Sequence, residues 1–246
     1  KRPYLFGTES INLVFYAEVR FSRIYKEDNF YERFLTDLVI ILSFQRAPLD
    51  NMGISYNYRH PTDQFISLEE ISRILKSRPR PLSVNRLWLE IFNQEDAMFV
   101  LPFIKTEKIH IFNPKMKHDV LELNEVIELD QWEQAKEIDI RNLTIVESLD
   151  HFLSFDDIFV QVETISLGDV VMMKDKFLQY PTTSSIRIEF DELLDRNRLE
   201  EVLGPKLPDS GKNWFIPIEN SEFGVSIDLI KYCIVFERSP RRIYDM

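Results

Sequence analysis

Four histidines, one cysteine and several paired acids are the residues whose types could carry chemistry. His60, His110, His118 and His151 include no pair at a metal-ligand spacing. In HDVLE, His118 and Glu122 stand four apart, which suits one face of a helix and also one face of a strand. A metal-dependent nuclease places acids to hold a divalent ion beside a lysine, and Asp169, Lys174, Asp175 and Lys176 in LGDVVMMKDK come nearest to that set. There the acid and the lysines are adjacent rather than separated by one residue. Asp156-Asp157 and Asp191-Glu192 are paired carboxylates with the chemistry for acid–base work, although helix starts and turns account for them equally well. No GxSxG, GxGxxG or GxxxxGK[ST] appears. Cys233, in KYCIVF with no histidine near it in sequence, reads as a small buried hydrophobe in a strand. The sequence therefore assigns no catalytic residue, no metal ligand and no cofactor, and it leans away from an enzyme.

Charge carries the stronger signal. Residues 1–123 hold 17 Lys and Arg against 16 Asp and Glu, whereas residues 124–246 hold 13 against 25. Between Glu122 and Glu163, 12 acids face only Lys136 and Arg141. Such a surface repels phosphates and steers basic partners. The residues expected to meet a basic protein partner are Glu125, Glu128, Asp130, Glu133, Glu137 and Asp139.

The segment ISLEEISRILKSRPRPLSVNRLWLEIF (residues 66–92) raises the question of nucleic acid. Ser67 and Glu70 have capping-box spacing for a first helix, and Ser83 could cap a second running to Ile91 or Phe92. Arg78, Arg80 and Arg86 belong to the most basic cluster in the chain and are its candidate contacts for an anion or a partner. A recognition helix presents several polar side chains to base edges. Val84 to Phe92 instead offers apolar side chains around most of its circumference, so the expected second helix belongs to a core and nucleic-acid reading is disfavoured.

The elements expected to position these residues begin with a strand at Ile11 to Phe21 and a helix capped by Asn29 that Pro48 stops. Phe30, Phe34, Leu38, Ile41 and Leu42 share one face of that helix. Asp50 to Asp63 reads as a loop. Beyond residue 93, AMFVLPFI, KIHIF, DVLELNEVIEL, NLTIVESL, DIFVQVETI and SIRIEF read as strands, with a turn at Gly168-Asp169 and one helix near 191–203. NWFIPI and SIDLIKYCIVFER close the chain as strands. The class expected is α+β, an N-terminal helix-rich part (1–95) followed by a mostly antiparallel β-rich part (96–246), as two domains or as one.

From these features the sequence predicts a cytoplasmic protein–protein interaction module, of inhibitor, immunity or assembly-subunit type, that presents an acidic face to a basic partner. Two alternatives stay open: a metal-dependent enzyme acting on nucleic acid without a recognisable motif, and a nucleic-acid-binding regulator using residues 67–92. One cysteine makes no intramolecular disulfide, and the longest apolar run, Leu38 to Leu42, is far short of a membrane span. Homo-oligomerisation is left open.

Overall fold

The computed structural model describes residues 12–15, 30–55, 68–113, 119–207 and 214–241. Two compact units divide the chain: Lys1–Lys115 with Asn124–Ala135, and Met116–Leu123 with Lys136–Met246. Residues 96–115, expected with the β-rich part, fall with the N-terminal elements.

The first unit contains strands β1 (Asn12–Phe15), β2 (Leu49–Ile54), β3 (Leu82–Glu90) and β4 (Ile104–Phe112), hydrogen-bonded in that order and all parallel. Helices α1 (Phe30–Phe44), α2 (Leu68–Lys76), α3 (Gln94–Met98) and α4 (Asp130–Gln134) accompany them. Parallel neighbours need a crossover between them, and α2 supplies the one from β2 to β3. On α1, Leu38 and Leu42 are buried, whereas Ile41 is half exposed. The capping residues Asn29 and Ser67 lie outside the described residues.

Two expectations about this unit are corrected. The stretch read as a loop from Asp50 contains β2, where Leu49, Met52 and Ile54 are buried. The stretch read as a second helix is β3, the inner strand between β2 and β4. Its Leu82, Val84, Leu87 and Leu89 are each no more than 2% exposed. The misreading has a physical cause. Strict alternation fails between Val84 and Leu87, so two buried residues stand three apart, as they would on a helix. Thr106 of β4 serves the same level: its Oγ1 donates to the Asn85 carbonyl at 3.3 Å and accepts the Lys108 N–H at 3.3 Å. Trp88, apolar but 40% exposed on the opposite face, adds to the likeness of a helix that is apolar on most sides.

The second unit contains β5 (Asp119–Leu121), β6 (Glu137–Ile145), β7 (Asp157–Ile165), β8 (Ser185–Leu193), β9 (Trp214–Pro217), β10 (Phe223–Ile230) and β11 (Cys233–Pro240). β5 to β8 pair in parallel, and β8, β11, β10 and β9 continue in that order as antiparallel neighbours. Helix α5 (Leu167–Gln179) links β7 to β8, and α6 (Leu199–Leu203) follows β8. The rings of Phe177 on α5 and Phe236 on β11 lie 6.2 Å apart, which places α5 on one face of this sheet. Arg238 fastens the end of α5, donating to the carbonyls of Phe177 (3.2 Å), Tyr180 (3.1 Å) and Thr183 (3.2 Å), where helix carbonyls lack partners.

The expected class, helices first and then antiparallel strands, is therefore overturned. Both units are mixtures of strands and short helices, parallel pairings outnumber antiparallel ones among the described residues, and a long helix, α5, stands well inside the part expected to be β-rich. The Gly168-Asp169 turn is the start of α5. There the Ser166 N–H donates to Asp169 Oδ2 (2.8 Å) while the Asp169 N–H donates to Ser166 Oγ (3.2 Å). The helix expected near 191–203 is reduced to α6, because β8 runs to Leu193. AMFVLPFI forms the end of α3 and a 3-10 turn at Leu101–Phe103. Of DVLELNEVIEL only Asp119–Leu121 is strand. No helix among the described residues is long and apolar enough to cross a membrane.

Candidate functional site

The six acids expected to form one partner surface are divided between the two units. Glu125, Glu128, Asp130 and Glu133 belong to the first, and Glu137 and Asp139 to the second. The first group sits on α4 and the turns leading into it. Trp132 anchors that helix at 2% exposure, and Gln131 Nε2 donates to the Pro102 carbonyl at 3.0 Å. With Trp132 turned inward, Asp130 and Glu133 are left exposed, as is Glu128 before them. Acids at a helix start also favour its N-terminal amides. Glu125 is tied to α3: its N–H donates to Gln94 Oε1 at 3.0 Å, and Gln94 Nε2 donates to Glu125 Oε1 at 3.5 Å.

Asp139 differs from the other five. It is 9% exposed and held by Arg141, whose Nε donates to Oδ1 at 2.8 Å and whose Nη2 donates to Oδ2 at 2.8 Å. The hydrogen bond to Asp139 raises the Arg141 pKa above its ordinary value. Residues two apart share a face of a strand, which sets Asp139 and Arg141 side by side on β6; β6 departs from regular pairing with β7 between Asp139 and Thr144, with Asn142 in the left-handed region at φ 60°.

The three arginines are spread over two neighbouring stretches of the first unit. Arg78 and Arg80 lie in the connection from α2 to β3, and Arg86 lies in the middle of β3. Arg78 donates through Nη2 to Gln45 Oε1 at 3.1 Å, and burial lowers its pKa. Arg80 is exposed. With β3 a strand, the segment contains no recognition helix.

The acids and lysines of LGDVVMMKDK are accounted for by the helix they build. Asp169 caps α5, and Lys174 lies 3.7 Å from Asp175 and donates to the Val202 carbonyl. Lys176 is buried and donates to the Leu153 carbonyl at 2.6 Å. Burial lowers the Lys176 pKa, against a smaller opposing effect of Asp156. Cys233 is buried, and burial raises its thiol pKa. His60 and His118 lie outside the described residues, and no three His, Cys, Asp or Glu residues among the described ones converge as metal ligands.

Sequence reasoning passed over the sheet face of the second unit that is turned away from α5. Phe159 on β7 stands there with the Arg141 guanidinium 5.0 Å and the Arg187 guanidinium 5.1 Å from its ring centroid. Arg187 is paired in turn with Glu189 at 2.8 Å. The available signal was the alternation in DIFVQVETI, which sets Phe159, Gln161 and Glu163 on one face and Ile158, Val160 and Val162 on the other.

The first unit thus presents exposed acids on α4 and its lead-in turn, and the second carries a polar sheet face around Phe159. Residues 65–206, more than half of the chain, match the FTH domain, and the chain belongs to that family. The matched stretch runs from just before α2 through α6 and so includes parts of both units. No curated protein and no solved structure matches the chain.

Proposed function

We propose that this chain is a protein–protein interaction module that presents acidic surface to a basic partner, as an inhibitor, an immunity-type protein or a subunit of an assembly. One observation carries the reading. Glu128, Asp130 and Glu133 are exposed together on α4 and its lead-in turn, and none of the three has an ion-pair partner among the described residues. Three unneutralised carboxylates on an anchored element attract cations and repel phosphates, which favours a basic protein over nucleic acid. The same reading takes the cytoplasm as its compartment, since the single cysteine is a buried thiol with no disulfide to form. The test replaces Glu128, Asp130 and Glu133 by their amides and measures binding of a lysine-rich peptide at low and high salt. Weaker binding with a shallower salt dependence supports the reading, and unchanged binding overturns it.

A further inference from the structure

The face of β6, β7 and β8 opposite α5 carries unused hydrogen-bonding groups. Gln161 is 8% exposed and Thr144 9%, yet neither side chain has a hydrogen-bond partner among the described residues. They are cross-strand neighbours, since Thr144 pairs with Gln161 in the ladder, and Gln161 pairs onward with Glu189. The carbon atoms of both side chains are packed away while their polar atoms still reach the surface, where a bound donor or acceptor can meet them. On one side of this pair stands the half-exposed Phe159. On the other side, Val162 pairs with Phe190 and Thr164 with Glu192, which leaves Glu163 beside Asp191, both exposed and neither with a cation among the described residues. Like charges opposite one another on adjacent strands destabilise the sheet, and a cation between them relieves the repulsion.

We propose that this face docks an extended basic segment of a partner protein, with the segment's backbone or amide groups meeting Gln161 and Thr144, an apolar side chain resting on Phe159, and a lysine or arginine set between Glu163 and Asp191. The arrangement has the anatomy of a recognition surface, an aromatic centre with a charged rim. Charge decides the occupant. Arg141 and Arg187 are already engaged by Asp139 and Glu189, so the outstanding charge on the face is negative. A second copy of this face or a phosphate backbone is repelled. The proposal rests on the basic-partner reading above and gives it a second, independent location.

The experiment titrates a labelled dodecapeptide of repeated Lys-Thr-Val-Thr, which sets Lys and Val on one face when extended, into the full chain and follows fluorescence anisotropy. Three proteins are compared with the unaltered chain: Glu163→Gln/Asp191→Asn, Gln161→Leu, and Glu128→Gln/Asp130→Asn/Glu133→Gln. The first variant removes a like-charge contact, so its melting temperature should hold or rise while its affinity falls about tenfold, the low end of the coupling measured for close charge pairs at interfaces. Gln161→Leu should weaken binding at low and high salt alike, because a hydrogen bond rather than net charge is lost. If only the Glu128 set alters binding, the docking face is refuted and the basic-partner reading stands. If no set alters binding, or the peptide does not bind the unaltered chain, both are refuted.

Discussion

Arg141 holds the Asp139 carboxylate through two hydrogen bonds of 2.8 Å and, with the same guanidinium, lies 5.0 Å from the centroid of the Phe159 ring. The acid is thus already matched by a cation of its own chain, and the pair is part of the wall of the Phe159 face. Replacing Arg141 by Ala removes the Arg141 hydrogen bonds from the Asp139 carboxylate. The pair is exposed on the arginine side, so the loss in stability should be modest, about 0.5–1 kcal/mol. Urea unfolding of the two proteins measures it, and a loss several times larger would mean that the bulge in β6 collapses with the pair.

The identity of β3 as an inner strand has its own consequence. Leu87 is fully buried, and its pairing residues are Met52 and Ile109. Leu87→Ala should cost about 2–5 kcal/mol, the range for buried leucines, read as a lower denaturation midpoint. Under the helical reading the neighbour Trp88 would pack no less deeply. It is 40% exposed and stacks on His110 at 4.2 Å, so Trp88→Ala should cost less than Leu87→Ala.

Ser166 and Asp169 cap α5. Ser166→Ala should destabilise the protein by about 1 kcal/mol, and Asp169→Asn should also destabilise, because the Ser166 N–H and Oγ both donate to its carboxylate. Neither change should alter the response of the melting temperature to added magnesium. A magnesium-dependent rise abolished by Asp169→Asn would favour the metal-enzyme reading.

Lys176 gives the stability a pH signature. Burial lowers its pKa below the ordinary 10.5, so the folded state holds this proton less tightly than the unfolded chain does. Between the lowered value and 10.5 the unfolded chain binds more protons, and stability from this residue rises with pH. Below the lowered value the cost is constant. Lys176→Met should remove that rise when melting temperatures of the two proteins are compared from neutral pH to above 10, and an identical pH dependence would contradict the burial argument.

The α1 helix and most of the late strands were legible because their patterns are local: Leu38 and Leu42 recur at helical spacing, and SIRIEF and DIFVQVETI alternate. What escaped depended on neighbours far away in sequence. β2 and β3 are set between parallel partners distant in sequence, and in LSVNRLWLE the alternation breaks at Asn85-Arg86 and an apolar Trp88 stands on the outward face, so the pattern imitates a helix. The capping pair Ser166-Asp169 looked like a turn because caps and turns use the same residues. The acid-rich character of 122–163 was legible as composition. Its division between two units, and the capture of Asp139 by Arg141 two residues on along β6, are properties of the folded chain that no charge count reveals.

The most direct test of the account is the salt dependence of binding to a lysine-rich peptide, measured for the unaltered chain and for Glu128→Gln/Asp130→Asn/Glu133→Gln. The account expects affinity to fall as salt rises and the variant to bind several-fold more weakly at low salt, with the two converging at high salt. Equal affinities at every salt concentration would contradict it.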